Sequence, residues 1–145
     1  MTPEEIVSSR LKAMRKAEGI NQNQLSEMTN IPWGTVRNIE QNGNGNFAQI
    51  RKIFDIERFK RYLLWFFYGE TNPALGQISP TQLSEVKDKL IEKGLLENKS
   101  DVVSNELLAE HLEGYEASTT PEVTDSITKD MTAALTEILH NHGLR

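Results

Sequence analysis

Cysteine is absent from the 145 residues, and the chain also lacks long apolar runs and convincing strand alternation. Without cysteine, disulfides, zinc-thiolate sites and cysteine nucleophiles are excluded. The most apolar stretch, Tyr62 to Tyr68, is far too short to span a membrane. The opening residues Met1 to Glu5 have neither the basic start nor the apolar run of a signal peptide, so we expect a cytoplasmic protein.

Sequence motifs of enzyme chemistry are missing as well. The chain has no Gly-rich phosphate loop, no HExxH pair and no nucleophile elbow. His140 and His142 lie near the end without a carboxylate partner, which is more typical of a frayed helix end than of a metal site. We therefore expect no enzymatic activity, no cofactor and no bound metal.

Charge is unevenly distributed between the two halves of the chain. The net charge is −5, yet residues 1–68 hold ten Lys/Arg and seven Asp/Glu, a surplus of +3. Residues 69–145 hold six Lys/Arg and fourteen Asp/Glu, a balance of −8. Only the front half suits contact with phosphates, and the asymmetry indicates two different tasks.

Helix signals dominate, so the predicted fold class is all-α. In the front half, proline at first turns, asparagine caps and glycine stops delimit five helices. These run from Pro3 to the stop at Gly19, from Gln22 to Met28 or Thr29, from Pro32 to about Gln41, from Phe47 to Phe54, and from Asp55 or Ile56 to Tyr68.

The rear half is predicted to hold three further helices after a break rich in glycine and proline. They run from Pro80 to Lys93, from Asp101 to Glu113, and from Pro121 to the stop at Gly143. We therefore divide the chain into a front domain, 1–69, a linker, 70–79, and an acidic helical segment, 80–145, for dimerisation or partner binding.

The segment from Gln22 to Glu40 is the most informative part of the sequence. Leu25 faces inward from the second helix, and Val36 and Ile39 share one face of the third because they are three residues apart. Ile31 lies in the turn between them, and the small Ser26 allows the two helices to cross closely. Two short helices packed in this way leave the outer face of the second free to enter a major groove.

This pattern resembles the Cro/repressor-type helix-turn-helix family, also called XRE or lambda-repressor-like. The resemblance covers roughly Ser9 to Tyr68 and runs from Arg15 to Glu40 without a gap. Its matching residues are Arg15, Gly19-Ile20, Gln22, Leu25-Ser26, Ile31, Thr35-Val36 and Ile39-Glu40. It implies an N-terminal five-helix DNA-binding domain and a phage-type or prophage-type transcriptional repressor. Such a repressor binds double-stranded DNA at a palindromic operator as a homodimer, associated with the nucleoid when bound.

The resemblance also implies roles for individual residues. Those matched to base contacts are Trp33, Gly34, Arg37 and Asn38. Those expected at phosphates are Asn21, Gln22, Thr35, Asn42 and Asn44. Arg15 and Glu40 match the family's structural ion pair between the first and third helices.

The side-chain chemistry suits some of these roles better than others. Arginine can read guanine O6 and N7, and asparagine can read adenine N6 and N7, which fits Arg37 and Asn38. Gly34 departs from the family's polar preference, and it either allows close backbone approach or marks a late start of the helix.

Two apolar surfaces predict contacts beyond the front core. Tyr62 to Tyr68 is apolar on every side, so some of Trp65, Phe66, Phe67 and Tyr68 should meet the rear half or another subunit. The last predicted helix has a stripe that packs either on its own chain or across a dimer. The stripe consists of Val123, Ile127, Met131, Leu135, Ile138 and Leu139.

The same stripe carries an alternative hypothesis for the function of the chain. The chain would then be a protein-interaction module, such as an antitoxin or an antirepressor-controlled regulator. Its C-terminal helices would bind a protein partner, and its DNA binding would be autoregulatory.

Overall fold

The computed structural model describes residues 1–116, together with Lys129 and Ala133. Within these residues the chain is helical and forms no strand, which confirms the predicted all-α class. The helices are α1 (Pro3–Ala17), α2 (Gln22–Thr29), α3 (Trp33–Asn42), α4 (Phe47–Phe54), α5 (Leu63–Tyr68), α6 (Pro80–Glu92) and α7 (Asn105–His111). Two 3₁₀ turns, Glu57–Tyr62 and Pro73–Leu75, flank α5. Most of the helix predicted from Pro121, with its whole apolar stripe, and the pair His140 and His142 lie outside the described residues.

Side-chain caps explain where most helices begin. Asn21, Asn46 and Ser79 each accept a hydrogen bond from the backbone N–H three residues later, at the starts of α2, α4 and α6. At all three positions that third residue is glutamine, whose side chain bonds back to the cap residue's N–H. Among the described residues, no helix is long and apolar enough to cross a bilayer.

One hydrophobic core joins the front helices to the rear ones. Leu11 and Met14 of α1 belong to the same buried cluster as Leu83, Val86 and Leu90 of α6. Helix α1 therefore packs against α3 on one side and against α6 on another.

Residues 70–79, predicted as a linker, are a packed connection between α5 and α6. Ile78 is buried, and its N–H donates to the Arg61 carbonyl at 2.8 Å. Buried Gln77 donates from Nε2 to the Lys60 carbonyl at 3.0 Å and accepts from the Leu64 N–H at 3.1 Å. The division of the chain into domains at this point stays a prediction.

These contacts correct the predicted single helix from Asp55 or Ile56 to Tyr68. The structure replaces it with the 3₁₀ turn Glu57–Tyr62 followed by α5. The Lys60 carbonyl accepts from the Leu63 N–H, three residues later, which is the 3₁₀ pattern, and the Leu64 N–H donates to Gln77 Oε1 instead.

The predicted helix from Asp101 to Glu113 is also shorter than expected. Asp101 instead accepts hydrogen bonds from the N–H groups of Glu97 and Asn98, both at 3.0 Å, which closes a turn. Ser104 then caps α7, which spans only Asn105–His111.

A buried tyrosine makes the stability of the protein sensitive to alkaline pH. Burial raises the pKa of Tyr62 well above its ordinary value, and the neighbouring Glu18 carboxylate adds to the rise. The stability from neutral Tyr62 is therefore fully present below about pH 10 and is lost as pH rises toward the folded-state pKa. Burial lowers the pKa of Lys87, which gives the opposite slope, but only up to about pH 10.5, where the unfolded lysine also loses its proton.

We therefore expect the free energy of unfolding to fall between about pH 10.5 and 11.5, by up to about 1.4 kcal/mol. Tyr62→Phe should flatten this fall in urea titrations, although it is less stable at neutral pH because it loses the hydrogen bond that the Tyr62 hydroxyl donates to Glu18 Oε2. Tyr68→Phe is the matched control, since Tyr68 is 54% exposed. Equal alkaline slopes for the wild type and Tyr62→Phe would contradict the expectation.

Candidate nucleic-acid interface

Helices α2 and α3 are joined by a three-residue turn, Asn30, Ile31 and Pro32. Asn30 adopts the left-handed conformation with φ 57°, which asparagine tolerates better than most residues. Ile31 is buried, and its carbonyl accepts from Ser26 Oγ at 2.5 Å. These contacts hold the two helices in one mutual orientation.

A buried ion pair connects α1 to the far end of α3. Arg15 Nε donates to Glu40 Oε2 at 2.6 Å, and Arg15 Nη2 donates to Glu40 Oε1 at 3.0 Å. Arg15 Nη1 also donates to the Ile20 carbonyl at 2.9 Å, and Gln22 Nε2 donates to Glu40 Oε1 at 3.2 Å. The two residues predicted as a structural pair thus lie together, and their network also includes the first residue of α2.

The outer face of α3 brings all four predicted base-contact residues together. They line an open, shallow groove of about 460 Å³. Its lining residues are Trp33, Gly34, Thr35, Arg37, Asn38 and Gln41. Gln41 was not among the predicted site residues, although its spacing of four from Arg37 and three from Asn38 would have placed it on this face.

Two contacts along this face orient its polar groups. The guanidinium of Arg37 lies 5.4 Å from the ring centroid of Trp33, which is 44% exposed. Asn42 Nδ2 donates to Asn38 Oδ1 at 2.7 Å. Because the partners are four residues apart on one helix, α3 itself holds Arg37 and Asn38 in these positions.

The predicted phosphate contacts occupy two separate regions. Asn21 and Gln22 begin α2, where the Asn21 side chain accepts from the Gln24 N–H at 2.8 Å and is thereby engaged as a cap. The first backbone bond of α2 is from Leu25 N to Asn21 O, so the N–H groups of Gln22 and Asn23 precede the regular ladder.

The other predicted phosphate contacts lie on or after α3. Thr35 is half-buried in the first turn, whereas Asn42 at the last helical residue and Asn44 in the following loop are exposed. Five cationic side chains of the front helices, including Arg37, are exposed and form no ion pair within the described part of the chain. They are Lys12, Lys16, Arg37, Arg51 and Lys52.

The aromatic run of α5 is covered largely by its own chain. Phe66 is only 3% exposed, and its ring packs edge-on against Phe54 at 5.1 Å. Phe67 is half-buried, and its ring centroid lies 5.7 Å from that of Phe54. Trp65 is also half-buried, and its ring centroid lies 5.7 Å from the Arg10 guanidinium carbon. Phe66 therefore finds its cover within this chain, while a role of Trp65 and Phe67 at an interface stays a prediction. The other predicted interface residues, Val123, Ile127, Met131, Leu135 and Ile138, lie outside the described residues.

Comparison with known proteins identifies a relative of this chain. Over 75 residues it is 31% identical to Repressor protein C of Escherichia phage P2, covering 51% of this chain and 76% of the phage protein. This chain belongs to that repressor's family. No protein-family model matches the sequence. Membership places the chain among phage repressor-type regulators, in agreement with the coarse class that the sequence predicts.

Gly34 provides a test of how regular the first turn of α3 is. A Cβ at this position would meet nothing within 4 Å, and its φ is not positive, so alanine fits without strain. We expect Gly34→Ala to raise the free energy of unfolding by about 0.5–1 kcal/mol in urea titrations, because alanine loses less backbone entropy in a helix.

The control is Gly43→Ala at the end of α3. Gly43 has φ +71°, and a Cβ there would clash with the Glu4 carbonyl oxygen, so this variant should be destabilised. A loss of stability in Gly34→Ala would show that the first turn of α3 is not the regular helix described.

Proposed function

We propose that this chain is a transcriptional repressor that binds double-stranded DNA through a helix-turn-helix formed by α2 and α3. The observation that carries the proposal is the exposed face of α3, where Trp33, Arg37 and Asn38 lie together on a helix whose other face is buried. Membership in the family of a phage repressor supports a regulatory role, which needs no catalytic group or cofactor.

In the proposed complex, α3 lies in the major groove and reads base edges. Arg37 donates two hydrogen bonds to guanine O6 and N7, and the Trp33 ring beneath it limits the orientations of the guanidinium. Asn38 donates from Nδ2 to adenine N7 and accepts at Oδ1 from adenine N6. The bond from Asn42 uses one lone pair of Asn38 Oδ1 and leaves the other for the base.

The start of α2 positions the protein on the DNA backbone. The N–H groups of Gln22 and Asn23 lie at the positive end of the helix dipole, which favours a phosphate. The hydrogen bond from Gln22 to Glu40 connects this phosphate contact to the end of α3. The position of the protein along the DNA backbone and the position of α3 at the bases are therefore coupled. Asn42 and Asn44 follow α3 and offer amide donors to a second phosphate.

The proposed repressor acts as a homodimer on a two-fold operator. The recognition helices of such a dimer are about 34 Å apart, one turn of DNA. The proposed subunit contacts are the partly covered aromatics Trp65 and Phe67 and the stripe Val123 to Ile138. The acidic rear half then faces away from the phosphates, where its charge does not oppose binding.

A salt titration with duplex DNA tests this proposal. Fluorescence anisotropy should show binding at low salt, with the logarithm of the association constant falling linearly against the logarithm of salt concentration. Single-stranded DNA of the same sequence is the control and should bind more weakly, because it offers no major groove. An absence of duplex binding at low salt would contradict the proposal.

A further inference from the structure

A cluster of charged side chains is buried where the front helices meet the rear ones. Glu18 is the C-cap residue after α1, Arg61 lies in the 3₁₀ turn Glu57–Tyr62, and Lys87 lies on α6. Their exposed fractions are 2%, 4% and 2%. The side chain of Arg58 is 17% exposed beside them. One buried carboxylate therefore faces three basic groups, and the half-buried Asp101 carboxylate also interacts electrostatically with Lys87.

Glu18 does not neutralise this cluster. Its Oε1 lies 3.7 Å from Arg58 Nε and its Oε2 lies 3.7 Å from Arg61 Nη1, too far for a hydrogen bond to either. Its close partner is the Tyr62 hydroxyl, which donates to Oε2 at 2.5 Å. The Tyr62 hydroxyl is neutral at pH 7, because its ordinary pKa is already about 10 and burial raises it further, so it adds no negative charge.

Loss of the Lys87 proton would not remove the excess of positive charge either. Its Nζ donates to the carbonyls of Ala17 at 2.7 Å and Lys99 at 2.6 Å, and burial lowers its pKa. Even if Lys87 loses its proton, two guanidinium groups remain against one carboxylate. Buried charge of this kind is strongly unfavourable without a counter-charge.

Three nitrogen atoms in this cluster are buried without any hydrogen-bond partner. They are Arg58 Nη1, Arg61 Nε and Arg61 Nη1. Arg61 is otherwise anchored, because its Nη2 donates to the Val103 carbonyl at 2.8 Å and to Asn105 Oδ1 at 3.0 Å. All three orphan groups are donors, since a guanidinium has no acceptor, so the missing partner is an acceptor.

We propose that Arg58 and Arg61 together bind one small monovalent anion of about chloride size at the junction between the front and rear helices. An anion is favoured over a water molecule because the site is positively charged and offers only donors. A small ion is favoured because protein atoms cover all three nitrogens. The bound anion compensates the charge of the two guanidinium groups in the 3₁₀ turn, and because Arg61 also bonds Val103 and Asn105, it stabilises the attachment of the segment before α7.

A chloride titration of the full chain at constant ionic strength tests the site. Sodium chloride replaces sodium gluconate, whose anion is too large for the site, while the midpoint of thermal unfolding is recorded. We expect a saturable rise of about 2–5 °C. In parallel, ³⁵Cl NMR should show line broadening from an exchanging bound ion, and bromide should compete for it.

The variant Arg58→Gln removes one orphan donor and one charge, and it should lose both the thermal shift and the broadening. Arg51→Gln is the matched control, because Arg51 is exposed on α4 and has no place in the cluster. If Arg58→Gln does not fold, the wild-type chloride titration and the bromide competition still show whether an anion binds. Unfolding midpoints that are equal in chloride and gluconate, without broadening, would overturn the proposal and indicate that water occupies the site.

Discussion

The double variant Arg37→Ala with Asn38→Ala is expected to lose its preference for operator over random duplex by about 30-fold to 20,000-fold. Each two-bond contact with a base discriminates by about 1–3 kcal/mol, and each factor of ten corresponds to about 1.4 kcal/mol. Both side chains are exposed on α3 and neither belongs to the core, so the variant should stay folded. Residual binding should resemble that of random DNA, since the phosphate contacts from α2 are retained.

The measurement is a pair of anisotropy titrations, with an operator selected from a randomised pool and with a random duplex of equal length. Lys89→Ala is the control, because Lys89 is an exposed cation on α6, away from the proposed groove. It should leave the ratio of the two affinities unchanged. If the double variant retains that ratio while remaining folded, the assignment of base reading to α3 is wrong.

Glu40→Ala is expected to lower the free energy of unfolding by about 3–5 kcal/mol, the usual cost of breaking a buried ion pair. The Glu40 side chain is 1% exposed and accepts from both Arg15 and Gln22, so its removal leaves a buried guanidinium without its counter-charge. Urea titration measures the change. Glu40→Gln should fall between the wild type and Glu40→Ala, because it keeps one acceptor but no charge.

The control for this prediction is the exposed pair Glu57 and Lys60. Their contact is 3.1 Å, but the Glu57 side chain is 68% exposed. Such pairs contribute about 0–1 kcal/mol, so Glu57→Ala should change stability little. Equal effects of Glu40→Ala and Glu57→Ala would contradict the structural role given to the Arg15–Glu40 pair.

Local signals predict most of the helices because their causes lie within a few residues. Asn46 and Gln49 delimit the start of α4, and Ser79 with Pro80 does the same for α6. The single helix predicted up to Tyr68 is wrong because Gln77 and Ile78 bind backbone groups of residues 60–64. These two partners could not be foreseen, since they lie more than ten residues away in sequence. No local pattern around residues 57–62 indicates that those partners exist.

The candidate interface could be predicted in its positions but not in its internal contacts. Helical register places Trp33, Arg37 and Asn38 on one face, whereas the contacts that Trp33 and Asn42 make with the other two depend on side-chain rotamers. The charge count of the sequence overestimates the cations that can reach phosphates. Arg15 and Arg61 contribute to the surplus of +3 in residues 1–68 but are buried, so they are not available to phosphates.

The charged cluster around the proposed anion site was not predictable from the sequence, because Glu18, Arg61 and Lys87 come from three distant elements. The packing of α1 against α6 brings Glu18 and Lys87 together. In sequence, Arg58 and Arg61 read as ordinary members of a basic front half.

Selection of duplex DNA from a randomised pool by the purified chain tests the central proposal most directly. We expect enrichment of an inverted repeat whose half-sites are centred about 10 base pairs, one helical turn, apart. We also expect the enriched half-site to contain a guanine and an adenine that Arg37 and Asn38 contact. Recovery of no enriched duplex at low salt would contradict sequence-specific DNA binding by this chain.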